Sequence, residues 1–179
     1  MFLPEKAVLL IIDVQGKLAY LMHEKDELIR HIVGLIRVAD IFNIPIFFTE
    51  QAPEKIGTTI PEIAGSLSGR KPLPKHSFSC CADKEFMRQL KALYRKQIIV
   101  AGIEAHVCVS QTVRDLMDQH YEVQVVSDAV SSRAEADKKC ALERIRTWGG
   151  DVTSTEMIAC ELLRTSYHEK FKEIINLIK

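Results

Sequence analysis

Short apolar runs alternate with helix-period stretches along the whole chain, and nothing else in the sequence restricts its fold as strongly. Residues 7–12 (Ala-Val-Leu-Leu-Ile-Ile) are apolar without a break, and Asp13 follows. Such a run suits a strand buried on both faces, as a parallel sheet requires. Leu28, Ile32, Leu35, Ala39 and Phe42 then recur at helical spacing, with Asn43 as a stop. Further strands are predicted at 44–49, 73–78, 97–101, 123–126 and 151–153, the fifth strand ending at Ser127-Asp128. Helices are predicted at 83–94, 107–119, 134–148, 155–164 and 168–178. Residues 50–72 carry Pro53, Gly57, Pro61, Gly65, Gly69 and Pro72, and read as a long loop with one helical turn at 60–64.

This order predicts an α/β fold: a three-layer α/β/α, doubly wound, Rossmann-like arrangement around a six-stranded, mainly parallel sheet. No repeat, low-complexity segment or linker divides residues 1–179, so the chain reads as a single domain with a core at about 6–160 and a helical tail at 161–179. Ligands in such sheets sit beyond the carboxyl ends of the strands, where the strand order reverses. In a six-strand order of this kind the first and fourth strands meet there.

Composition removes several function classes. Lys+Arg and Asp+Glu both number 24, so the formal net charge is zero and no electrostatic footprint for a nucleic acid is expected. No apolar run approaches the ~18 residues of a membrane span, and no basic region precedes the first apolar run, so neither a membrane partner nor a leader peptide is expected. Five cysteines, two of them adjacent (Cys80-Cys81), suit reduced thiols in a cytoplasmic setting better than a disulfide framework. No C-x-x-C pair or H-E-x-x-H helix offers a metal site, and no cofactor motif is present. A small-molecule substrate is the remaining expectation.

Two residues stand at the diagnostic strand ends. Asp13 closes the first strand; it either bonds a neighbouring loop backbone or reaches a cleft. Cys108 follows the fourth strand after Gly102-Ile103-Glu104-Ala105-His106-Val107 and opens a helix. There the positive end of the helix dipole favours thiolate, although a buried small hydrophobe is the other reading. Considered alone, Lys75 is a solvated loop lysine.

The strand-Asp13-x-Gln15 ending, the Pro74-Lys75-x-x-Phe78-Ser79 segment and the Gly102-Ile103-x-x-x-x-Cys108-Val109 segment before a helix resemble the isochorismatase-like cysteine hydrolases. The resemblance covers about residues 6–160. Thr49-Glu50-Gln51 and 102–108 look closest to isochorismatase-domain-containing proteins with no assigned reaction. It implies a triad of Cys108 as nucleophile, Asp13 as base and Lys75 as electrostatic partner. It also implies a cis peptide joining Ile103 to Glu104, and an oxyanion hole from the N–H groups of Glu104 and Cys108. Amide hydrolysis through a thioester is the implied reaction; vinyl-ether hydrolysis and a catalytically idle scaffold are the alternatives. Metal-containing relatives place an Asp-x-His pair after the second strand, whereas this chain has Thr49-Glu50-Gln51-Ala52 there, so no metal is expected. Gln15, Leu18, Glu50, Gln51, Phe78 and His106 are the expected substrate contacts. Homo-oligomers are common in the family, and the stripe of Phe171, Ile174, Ile175 and Ile178 packs either on its own domain or on a second subunit.

Overall fold

A computed structural model describes residues 1–178. Strands β1 (Ala7–Ile12), β2 (Ile46–Gln51), β3 (Leu73–Lys75), β4 (Gln97–Ile103), β5 (Glu122–Ser131) and β6 (Asp151–Thr153) form one sheet. The order is β3-β2-β1-β4-β5-β6 and every neighbouring pair is parallel. Strand order therefore reverses between β1 and β4, where the doubly wound reading places it.

The unbroken apolar run of β1 is explained by its two covered faces. Ala7, Leu9 and Ile11 pack into one core with helices α2 (Lys25–Ile41), α8 (Thr155–Leu163) and α9 (Phe171–Ile178). Val8, Leu10 and Ile12 pack into the other with α5 (Lys84–Ala92), α6 (Ser110–Asp118) and α7 (Glu135–Thr147). Alternate residues of a strand point to opposite faces, so both sets must be apolar. Each fully buried aliphatic side chain contributes about 1.5–3 kcal/mol. Asp83 caps α5 by accepting from the Phe86 N–H at 2.9 Å, and Ser154 caps α8 by accepting from the Met157 N–H at 3.2 Å. In the tail, Ile174 is fully buried, and Phe171 and Ile178 pack against the same core, so the apolar stripe of α9 covers its own domain.

Several boundaries differ from the sequence reading. Ser127 and Asp128 lie inside β5 rather than after it. The Ser127 hydroxyl donates to the Thr153 carbonyl at 2.8 Å, and Asp128 accepts from the Thr155 N–H and hydroxyl, both at 2.9 Å. Partners on β6 and α8 thus satisfy two polar residues that read as a strand end. The third strand ends at Lys75 instead of 78. Two further short helices, α1 (Gly16–Ala19) and α3 (Pro53–Ile56), are not among those predicted, while α4 (Pro61–Ala64) coincides with the helical turn expected at 60–64. The helix after β4 opens with a wide π turn, Ala105–Val109, before α6. Among the described residues, no helix is long and apolar enough to cross a membrane.

One glycine fixes the meeting of β1 and β4. Gly102 has φ +118°, and a Cβ there would lie 2.1 Å from the Ile12 carbonyl oxygen. Only glycine permits that approach, which sets the end of β4 directly beside Asp13.

Candidate active site

Asp13 leaves β1 in the left-handed region (φ 53°), which Asp tolerates better than most residues. This bend aims its carboxylate at the switch point. Its Oδ1 accepts from the Thr49 hydroxyl at 2.7 Å, and its Oδ2 accepts from Lys75 Nζ at 2.7 Å. Lys75 is 2% exposed, not the solvated lysine its local sequence suggests. Its ammonium also donates to Gln51 Oε1 at 2.8 Å, the Phe78 carbonyl at 3.0 Å and the Ser77 carbonyl at 3.1 Å. Those acceptors outnumber its three N–H groups, so Lys75 is a fixed cation with no donor to spare.

Cys108 lies in the π turn and is 7% exposed. It shares with Asp13 the lining of a cavity of about 110 Å³, and the carboxylate faces the thiol. Burial pushes the Cys108 thiol up to about 12; Asp13 adds to the rise and Lys75 opposes it. This corrects the dipole argument: the helix start favours thiolate, but desolvation beside a carboxylate outweighs it. The resting group is a thiol beside the Asp13 carboxylate.

Two further thiols behave alike. Burial raises Cys80 to about 11 and Cys81 to about 12. Unfolded thiols ionise near ~8.5. Between that pH and about 11–12 the folded state binds more protons, so stability falls as pH rises. The urea midpoint should drop between pH 8.5 and 10.5, each thiol contributing at most ~1.4 kcal/mol per pH unit. Cys80→Ala should flatten the slope; an unchanged slope would refute this origin.

The expected substrate contacts divide. Gln15, Leu18, Gln51 and Phe78 line the cavity together with Ile103 and Glu104. The Ile103–Glu104 peptide is cis. Glu50 does not reach the cavity: it is 4% exposed, and its Oε1 accepts from the Thr59 N–H at 2.7 Å and the Thr59 hydroxyl at 2.8 Å. It anchors the 57–60 loop. His106 also points elsewhere, its Nδ1 lying 2.9 Å from the Ser132 hydroxyl. Both corrections share a cause, since a neighbouring residue on a strand or turn faces away from the one that reaches the site.

Ile56 and Val107 line the cavity and escaped the sequence reading, as did Thr49 behind Asp13. Ile56 arrives because Gly16, at φ +53°, lets its loop approach; a Cβ there would lie 1.9 Å from the Ile56 carbonyl oxygen. The Gly16 N–H donates to the Thr58 carbonyl at 2.9 Å. Thr49 did carry a signal, because a Thr at the end of the strand beside β1 is within reach of Asp13.

Among the described residues, no group of three or more His, Cys, Asp or Glu is arranged to hold a metal ion. The family model for the isochorismatase domain matches residues 7–157. Isochorismatase family protein 1B of Dictyostelium discoideum is 35% identical, the match covering 98% of this chain and 87% of that protein. The solved MAR1 ribonuclease of Caenorhabditis elegans superposes with a TM-score of 0.92 at 36% identity, covering 99% of this chain and 91% of that one. The Escherichia coli YcaC gene product, an octameric hydrolase of unknown specificity, superposes with a TM-score of 0.91 at 24% identity over 98% of this chain and 88% of its own, a likeness of fold. With a domain match that runs from β1 into α8 and a relative sharing a third of its residues over nearly the whole of this chain, the chain belongs to the isochorismatase family of hydrolases.

Proposed function

We propose that this protein is a cysteine hydrolase that cleaves the C–N bond of a small amide through a thioester on Cys108, with no metal required. One observation carries the reading: a thiol and a carboxylate line one small cavity at the strand-order reversal, and a buried lysine behind the wall neutralises that carboxylate. As the bond from Cys108 Sγ to the carbonyl carbon forms, the thiol proton passes to Asp13. The N–H groups of Glu104 and Cys108 receive the oxyanion. Collapse breaks the C–N bond, and Asp13 returns the proton to the departing amine. Water then attacks the thioester while Asp13 takes its proton; the S–C bond breaks and the sulfur recovers that proton. Lys75 keeps its charge throughout.

Other readings find less support. Isochorismatase-type vinyl-ether substrates carry carboxylates, and among the described residues no lysine or arginine lines the cavity. The same absence, with a formal net charge of zero, disfavours the RNA cleavage that the name of the C. elegans relative brings to mind. An idle scaffold has no use for a desolvated ion pair at a cavity wall, because burying charges is costly. Five free cysteines suit a reducing, cytoplasmic compartment. Self-association, as in the octameric fold relative, completes the reading.

The test is to quench a reaction with a slowly deacylating amide in acid and map the acyl mass. The acyl group is expected on Cys108 alone. Turnover with an adduct on another residue, or with none, would remove the thioester mechanism.

A further inference from the structure

The polar side chains around the cavity are already committed to the protein. Gln15 Oε1 accepts from the Gln51 N–H at 2.6 Å, and its Nε2 donates to the Gly57 carbonyl at 2.6 Å and the Gln51 carbonyl at 3.0 Å. Both of its amide hydrogens are therefore used. Gln51 Oε1 accepts from Lys75 at 2.8 Å, and its Nε2 donates to the His76 carbonyl at 2.7 Å. The Glu104 carboxylate accepts from the Arg133 N–H and Nε, both at 3.1 Å. Asp13 is held by Thr49 and Lys75 and faces the thiol. Both glutamines thus build the walls and have little capacity left for a ligand.

What remains to meet the substrate beyond the reacting groups is apolar: Leu18, Ile56, Phe78, Ile103 and Val107. Among the described residues, no lysine or arginine joins them. The cavity volume of about 110 Å³ is small beside the roughly 300–1,000 Å³ of ordinary ligand sites. With the Glu104 and Cys108 N–H groups taken by the reacting carbonyl oxygen, a charged group on the acyl chain would lose its water here and find no partner. A short hydrocarbon chain would gain from the same walls.

We infer that the site selects an uncharged acyl group with a short aliphatic chain and rejects acyl groups that carry a carboxylate. This specificity rests on the reading of Cys108 as the nucleophile in this cavity, and it extends that reading to a substrate class. Ile56 is the specificity-determining side chain. It sits on the loop held by Gln15 and Gly16, and it can be exchanged without touching the Asp13–Lys75 pair.

The test compares two alkylating reagents of nearly equal size, neutral iodoacetamide and anionic iodoacetate, on the intact protein, with peptide mass mapping of each cysteine. The exposed Cys140 and Cys160 act as internal references. At Cys108 the iodoacetate-to-iodoacetamide rate ratio should fall roughly thirtyfold or more below the ratio at the references. Ile56→Lys places an ammonium on the wall. It should raise the iodoacetate rate at Cys108 roughly tenfold or more, with Cys140 and Cys160 unchanged. A ratio at Cys108 equal to that of the exposed thiols would overturn the selectivity and leave the nucleophile reading standing. Failure of Ile56→Lys to shift the preference, with the variant folded, would overturn the assignment of Ile56. A Cys108 inert to both reagents would overturn the nucleophile reading and this inference with it.

Discussion

Cys108→Ala should lower kcat for amide hydrolysis by about 10⁴-fold or more, while the folded state survives. Alanine keeps a small apolar group in a buried position, so the structural cost is a modest cavity. The chemical cost is total, because no other sulfur lines the cavity. Asp13→Asn should cost about as much, by a different route. An amide accepts a hydrogen bond but takes no proton at neutral pH, and burial holds the Cys108 thiol protonated up to about 12. Activity and adduct formation should therefore vanish together in Asp13→Asn. The pair of variants also separates reaction classes. Vinyl-ether hydrolysis needs a proton delivered to carbon and no thiol, so it would survive Cys108→Ala and be lost in Asp13→Asn. Single-turnover measurements on both variants, with circular dichroism to confirm folding, distinguish these outcomes. Retention of amide turnover in Cys108→Ala would sink the proposal.

The legible parts of this molecule are those whose physics is local. β1 is plain because a strand covered on both faces must be apolar at every position, and Asp13 stands out as the first polar group after it. Lys75 was the opposite case. Nothing near it in sequence indicates burial, because its acceptors come from the residue after β1, the end of β2 and two carbonyls of its own loop. Only the parallel pairing of β3 with β2 brings them together. Glu50 and Gln51 follow a rule that the sequence alone carries. Strand period sends adjacent residues to opposite sides, so just one of them faces Lys75, and Glu50 turns to Thr59 instead. Ile56 depends on a loop closing over Gly16, which is non-local and carries no motif. For Cys108, the dipole sign was visible in the chain order. The depth of burial, which decides its protonation, was not.

Lys75→Met should be the most damaging single change for stability. The side chain is of similar length, so packing is largely kept, but the Asp13 carboxylate is left buried and unneutralised. Removing one member of a buried ion pair costs about 3–5 kcal/mol. For a chain of 179 residues that corresponds to a fall in Tm on the order of 10 °C. Lys75→Arg should not rescue it, because a planar guanidinium does not fit acceptors that converge on a single nitrogen from Asp13, Gln51, Ser77 and Phe78. The decisive comparison is the double variant Asp13→Asn with Lys75→Met. A neutral amide at position 13 retains a hydrogen bond with Thr49 and leaves no charge stranded, so most of the lost stability should return. Urea unfolding of the two single variants and the double variant closes the cycle. A coupling energy near zero would mean that Lys75 does not neutralise Asp13. The carboxylate would then have no fixed counter-charge, and the electrostatic basis of the site would fail.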